Sequence, residues 1–278
     1  MPQSRFSLQH YEGFSYLDEG PSQTETPPLL LLHGMLGDLS NWDPTIGALS
    51  DAGYRVLVPV LPVYDLPMAK SNVEGLAGYA RAFAEALDLS SVVLAGNSLG
   101  GQVALLYALH APRSVAAMIL SGSSGIYEQR MDADLMRRDS RDFIRERAAV
   151  TFYDDGHVTD ELVDEMYALV NDRERAVRLI RMARSTKKAT VTDRLASLTG
   201  LPTLLVWGRD DVITPPDVAE EFHRRLPQAQ LHFIDKCGHA PMIERPGAFN
   251  RLTLEFLAQT VDPAELAPSE TSSPASHS

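Results

Sequence analysis

The sequence predicts an α/β fold: a mainly parallel sheet with helices on both faces and an inserted helical cap. Three observations carry that expectation. Short, continuous apolar runs recur along the chain, stretches with helical spacing separate them, and the alternation breaks over residues 123–198. Apolar runs a few residues long suit strands buried on both faces, and strand–helix alternation suits a parallel sheet.

The first clear strand is Leu29-Leu30-Leu31-Leu32, set off by Pro27-Pro28 before it and His33-Gly34 after it. Arg55 to Val60, Ser91 to Gly96, Val115 to Leu120 and Thr203 to Trp207 have the same character, and Gln230 to Ile234 is a fainter version. Between them, Val73 to Leu87 repeats Leu76, Tyr79, Ala80, Phe83 and Leu87 three or four residues apart, the spacing of one helix face. Leu99–Leu109, Pro216–Leu226 and Pro246–Leu257 are helical by the same criterion, the last two with proline where a helix needs no N–H.

Residues 123–198 are helix-like throughout and rich in arginine and acids. Ordinary crossovers between parallel strands are much shorter, so this stretch is expected to be a cap over the sheet edge. The expected organisation is therefore core 1–122, cap 123–198, core 199–261 and a disordered, polar tail over 262–278. Cap residues Arg137, Arg138, Arg141 and Arg145 alternate with Asp132, Asp134, Asp139, Asp142 and Glu146, which predicts solvated pairs along one helix.

Composition narrows the function classes. Hydrophobic residues are 44% and charged residues 22%, ordinary for a folded globular protein. A formal net charge of −12 opposes phosphate backbones and anionic lipid, so neither nucleic acid nor a membrane is an expected partner. The absence of a secretory-type start and the lone Cys237 favour a cytoplasmic setting. No His-Glu-x-x-His, Cys-x-x-Cys or Gly-x-x-x-x-Gly-Lys pattern occurs, so no metal or cofactor is expected. Nothing in the sequence sets the oligomeric state.

Gly96-Asn97-Ser98-Leu99-Gly100-Gly101 joins a predicted strand to a predicted helix. A serine at such a sharp turn presents its hydroxyl above the sheet, and the glycines admit the crowding the turn creates. The pentapeptide arises by chance in roughly one chain of this length in ten. It is the flanking strand and helix that distinguish a nucleophile from a helix N-cap serine.

A serine needs a base, and a histidine titrates near neutral pH. Of the eight histidines, His239 alone sits in a loop between the last predicted strand and the last helix. Loops at that sheet edge are where sites in open α/β folds gather. His33 reads as a structural loop histidine. The histidine in turn needs an acid to fix its tautomer, and either Asp210 or Asp211 in the turn after Trp207 is placed to supply it. The oxyanion donors would be the backbone N–H groups of Leu99 and of Met35, the latter in His33-Gly34-Met35-Leu36-Gly37.

HGMLG (33–37), GNSLGG (96–101), WGRDD (207–211) and CGHAP (237–241) together resemble the α/β-hydrolase superfamily across residues 29–257. The resemblance implies a Ser98–His239–Asp211 triad, because the acid there is the last residue of the Trp-Gly-x-x-Asp turn, and it also implies Met35 as oxyanion donor. A serine rather than an aspartate at residue 98 argues against the related epoxide hydrolases and haloalkane dehalogenases.

Asn97 and the stretch Phe152 to Val163 are similar to meta-cleavage-product hydrolases, which cut carbon–carbon bonds. Where those enzymes typically have an arginine and a tryptophan, this chain has Met166 and Ala240, and Leu61-Pro62-Val63-Tyr64-Asp65 replaces a familiar Asp-x-x-Gly-x-Gly loop. The expectation is therefore a small-molecule ester hydrolysed through an acyl-enzyme. Carbon–carbon hydrolysis of vinylogous diketo acids and slow-turnover ligand binding are the alternatives.

Overall fold

The computed structural model describes residues 4–127 and 140–261. The expected tail, Arg137 and Arg138 lie outside the described residues. In chain order the elements are β1 (Gln9–Tyr11), β2 (Phe14–Glu19), β3 (Leu29–Leu32), α1 (Asp43–Asp51), β4 (Val56–Pro59), α2 (Val73–Ala86), β5 (Val92–Asn97), α3 (Leu99–His110) and β6 (Val115–Ser121). Then come α4 (Arg141–Ala149), α5 (Asp160–Asn171), α6 (Arg173–Lys188), β7 (Thr203–Gly208), α7 (Pro216–Arg225), β8 (Gln230–Ile234), α8 (Pro241–Glu244) and α9 (Pro246–Thr260).

The strands form one eight-stranded sheet in the order β1-β2-β4-β3-β5-β6-β7-β8. Every pairing from β4 to β8 is parallel, while β1–β2 and β2–β4 are antiparallel. The apolar runs are explained by burial on both faces. Leu30 and Leu32 of β3, Leu57 of β4 and Leu94 of β5 face one core cluster with Phe83, Val103 and Phe222. Leu29, Leu31, Val56, Val58, Val93 and Ala95 face another with Ile46, Phe249 and Phe256. With helices over each face, no strand position in the sheet centre can be polar without a lost contact.

The antiparallel hairpin β1–β2 was not among the expected strands. All three residues of β1 are exposed, and β2 is buried only in its middle, so neither reads as an apolar run. Its hold comes from side chains instead: Phe14 and Tyr16 place their rings 5.5 and 5.0 Å from Phe83 of α2. Helix starts follow local chemistry, as at α2, where Asn72 accepts the Gly75 N–H at 2.8 Å.

Between β6 and β7 the described chain is helical, with α4, α5 and α6 sharing a small core of Ile144, Ala148, Val163, Val170 and Leu179. The arginine pairing differs from expectation. Arg141 meets Asp164 and Arg145 meets Asp160, so the pairs join α4 to α5 rather than running along one helix. Neither arginine has an acid four residues on along α4, since Arg141 is followed there by Arg145 and Arg145 by Ala149, so both turn to α5. No helix among the described residues is long and apolar enough to cross a membrane.

Phe83 is fully buried between the hairpin and the sheet. Phe83→Ala is expected to destabilise the fold by about 3–5 kcal/mol, the usual cost of deleting a buried aromatic ring. Denaturant unfolding checks this, and a loss below about 1 kcal/mol would mean that the hairpin is held by something else.

Candidate active site

Four parallel strands, β3, β5, β7 and β8, end at one edge, and the turns and loops leaving them carry Met35, Ser98 with Leu99, Asp211 and His239 respectively. Ser98 follows β5 directly and has φ +56° and ψ −119°, a conformation that L-residues avoid. It occupies the N-cap position of α3 yet makes no capping hydrogen bond, so its hydroxyl is not spent on the helix. The turn is held from both sides: Ser98 N–H donates to the Ser121 carbonyl at 3.0 Å, and the Ser98 carbonyl accepts from Ser124 at 3.1 Å. Leu99, next in line, is buried and opens the helix.

Burial and bonding separate the two aspartates that spacing left open. Asp211 is 2% exposed, whereas Asp210 is exposed. Asp211 Oδ2 accepts from His239 Nδ1 at 2.9 Å and from the Thr214 hydroxyl at 2.8 Å. Oδ1 accepts the backbone N–H groups of Ile213 at 2.8 Å and Thr214 at 3.0 Å. A buried carboxylate without such donors would be costly, so the turn and the ionised acid require each other. Donation from Nδ1 leaves Nε2 of a neutral His239 as the ring nitrogen free to take a proton.

His239 is itself pinned. Its N–H donates to the Thr151 carbonyl at 2.8 Å, and its carbonyl accepts from Asn97 Nδ2 at 2.9 Å, which also reaches the Ser121 carbonyl at 3.0 Å. Asn97 therefore ties the serine turn to the histidine loop. Gly122, with φ +51°, lies flat against the imidazole: a Cβ there would stand 2.8 Å from His239 Nδ1. Buried Glu244 completes the loop, accepting the N–H groups of Tyr153, Asp154 and Gly238.

Met35 sits on the loop after β3, which pairs with β5 as expected. That loop approaches the serine closely: a Cβ on Gly34 would lie 3.5 Å from Ser98 Cβ. His33 is buried and burial holds its pKa below the usual histidine value, consistent with a structural role. Its Nδ1 bonds the Gly34 carbonyl at 2.9 Å, and its Nε2 accepts from Leu61 N–H at 3.3 Å. Burial pushes the Cys237 thiol up to about 12, which disqualifies it as a nucleophile at neutral pH.

Sequence reasoning missed Thr214, Gly122, Glu244 and the bonding role of Asn97. Only Thr214 left a trace, because an aspartate followed three residues later by threonine is a local turn signature. Among the described residues no cluster of His, Cys, Asp and Glu could hold a metal ion.

Gly122→Ala is expected to leave the fold intact but push the imidazole off Asp211. The downfield proton resonance of the His239 Nδ1–H···Asp211 bond would then disappear from the spectrum in water. An unchanged resonance would show that the loop can yield without moving the ring.

Comparison with known proteins bears on the same edge. The model of the "Alpha/beta hydrolase family" matches residues 29–252. The chain is 32% identical over 250 residues to a 2-hydroxy-6-oxo-6-phenylhexa-2,4-dienoate hydrolase of Burkholderia cepacia, covering 83% of this chain and 87% of the relative. It is 31% identical over 256 residues to a 2-hydroxy-6-oxononadienedioate/2-hydroxy-6-oxononatrienedioate hydrolase of Comamonas testosteroni, covering 84% and 88%. Among solved structures, an alpha/beta hydrolase enzyme from the metagenome of lagoon sediments at Mar Chica, Morocco, matches with 35% identity and a TM-score of 0.74, over 91% of this chain and 98% of that one. A variant of the meta-cleavage product hydrolase CumD matches with 26% identity and a TM-score of 0.76, over 91% and 98%. The fold, the loop order and these matches agree: the chain belongs to the alpha/beta hydrolase family.

Proposed function

We propose that this hydrolase works through a Ser98–His239–Asp211 triad and cleaves the carbon–carbon bond of a vinylogous diketo acid. The observation that carries the triad is the buried His239–Asp211 bond at 2.9 Å, on the sheet edge where a strained Ser98 leaves its hydroxyl unspent. The substrate class rests on the curated relatives, whose names favour this reading over the ester expected from sequence.

In the proposed reaction His239 takes the Ser98 proton, Ser98 attacks the carbonyl carbon, and the oxyanion is met by the N–H groups of Met35 and Leu99. The carbon–carbon bond breaks with its electron pair passing through the conjugated double bond into the far carbonyl, as a dienolate. The dienol must therefore react as its keto tautomer. His239 returns its proton to the departing dienolate, and water then releases the acyl group from Ser98 by the same route.

An acidic substrate calls for a cation. Arg178 and Arg181 of α6 are spent on the carbonyls of Leu66 and Met68. The Arg175 charge instead reaches half-buried Tyr64, beside the Met35 loop, and opposes the upward pressure of burial on that phenol. We therefore put forward Arg175 as the α6 arginine that meets a carboxylate. The ester reading is kept by one observation: Met166 and Ala240, apolar residues packed against the core of α4–α6 and the sheet core, stand at the sequence positions where a polar grip on a diketo acid is expected.

A fluorophosphonate is expected to label Ser98, and His239→Ala to abolish the labelling. Asp211→Asn is expected to cost on the order of 10⁴ in turnover, with Asp210→Asn near wild type. Equal, small losses in the two would place the acid elsewhere.

Specificity constants for a 2-hydroxy-6-oxo-dienoate series should exceed those for p-nitrophenyl esters on one preparation. Arg175→Met should raise KM for the dienoates about tenfold and leave the esters unchanged, the loss expected for one charge-assisted contact. Esters winning by tenfold would restore the ester reading. No turnover of either, with binding retained, would point to a ligand-binding protein.

A further inference from the structure

We propose that Tyr64 is a positioning residue for the Met35 amide, holding the peptide after Met35 while His33 holds the peptide before it. The proposal rests on the reading of Met35 as an oxyanion donor. It concerns how an exposed loop is made rigid enough to act as one.

The Met35 N–H belongs to the Gly34–Met35 peptide. In a planar trans peptide the N–H points opposite to the carbonyl, so whatever fixes the Gly34 carbonyl aims the Met35 amide. That carbonyl accepts from His33 Nδ1 at 2.9 Å and from Gly37 N–H at 3.2 Å. A carbonyl only accepts, so His33 carries its proton on Nδ1, and the Leu61 N–H donated to Nε2 enforces that tautomer.

The peptide on the other side of Met35 is held by a different group. The Tyr64 hydroxyl donates to the Met35 carbonyl at 2.6 Å, which fixes ψ at Met35. With the peptides on both sides of Met35 anchored, the Met35 N–H cannot rotate away from a developing charge. The next residue, Leu36, is 43% exposed, so packing alone does not immobilise the loop tip. Burial raises the Tyr64 pKa and keeps the phenol protonated, hence a donor, over the working pH range.

Both anchors depend on one short segment. Residues 61–66 close on themselves, with Val63 N–H bonding the Leu61 carbonyl at 2.8 Å and Leu66 N–H bonding the Pro62 carbonyl at 3.2 Å. Leu61 sets the tautomer of His33 and Tyr64 holds Met35, so the unfamiliar Leu61-to-Asp65 segment acts as a brace on the oxyanion loop. Arg178 of α6 donates to the Leu66 carbonyl, and Tyr64 packs against the core of the inserted helices. The brace therefore takes its own position partly from α6.

The test uses Tyr64→Phe in the full chain, which keeps the ring and removes the hydroxyl. The readouts are kcat and KM on the best wild-type substrate and Ki for a trifluoromethyl ketone, whose adduct with serine puts an oxyanion in the same place. Losing one oxyanion donor costs about 10²–10³ in turnover, so a donor left loose is expected to cost at least tenfold in kcat with KM within twofold. The ketone Ki should rise by the same factor that kcat/KM falls, and Arg178→Gln should give a smaller change in the same direction. A hydroxyl that merely helped folding would lower the titrated fraction of active sites and leave Ki unchanged, which overturns the proposal. Wild-type kcat/KM and Ki in Tyr64→Phe overturn it as well. A wild-type chain that neither turns over acyl substrates nor binds the ketone defeats the serine-hydrolase reading itself, and this proposal with it.

Discussion

A carboxylate buried to 2% exposure must be surrounded by donors, and the site is arranged around meeting that demand at Asp211. The donors come from two directions. Ile213 and Thr214 supply them from the same turn, and His239 supplies one from the loop after β8. The turn is made rigid in its own right, since the Trp207 indole N–H donates to the Thr214 carbonyl at 2.7 Å. Replacing any of these groups leaves a charge or a donor unpaired in a dry environment, where the penalty is larger than the bond was worth. The histidine is thus oriented by the electrostatics of burial, and the loop that carries it follows.

That ordering explains which parts were legible in the sequence. Central strands announce themselves because both faces are buried, so Leu29 to Leu32 is an unbroken apolar run. The β1–β2 hairpin stayed hidden because it is held by a few aromatic contacts rather than by a hydrophobic pattern. Ser98, Asp211 and His239 could be located by motif, but spacing did not separate Asp211 from Asp210, since burial is a property of the folded turn. Asn97, Gly122 and Glu244 act on backbone groups or by lacking a side chain. Any sequence that closes the loop the same way could use different residues, so no pattern marks them in advance.

Membership of the alpha/beta hydrolase family settles the scaffold and leaves the choice of bond to the residues above the sheet. An acyl-enzyme route serves an ester or an activated carbon–carbon bond with the same triad and the same donors. The two differ in what must be held away from the reacting carbonyl: an ester needs only an apolar slot, whereas a diketo acid brings a carboxylate whose desolvation must be offset. Arg175, Met166 and Ala240 pull that balance in opposite directions, which is why the names of relatives and the local composition of this chain point to different substrates.

Glu244 joins the segment between α4 and α5, at Tyr153 and Asp154, to the histidine loop at Gly238. At the far side of the insertion, Gln102 of α3 donates to the carbonyls of Thr186 and Ala189. The helical stretch between β6 and β7 is therefore stitched to the rest of the fold at two points by side chains that face its backbone. A chimera that exchanged residues 141–190 between relatives would carry over the helices but inherit the recipient's stitches. Such a graft would seat correctly only in a recipient that supplies a carboxylate and an amide at the equivalent points, so residues 102 and 244, though remote in sequence, would have to travel with it.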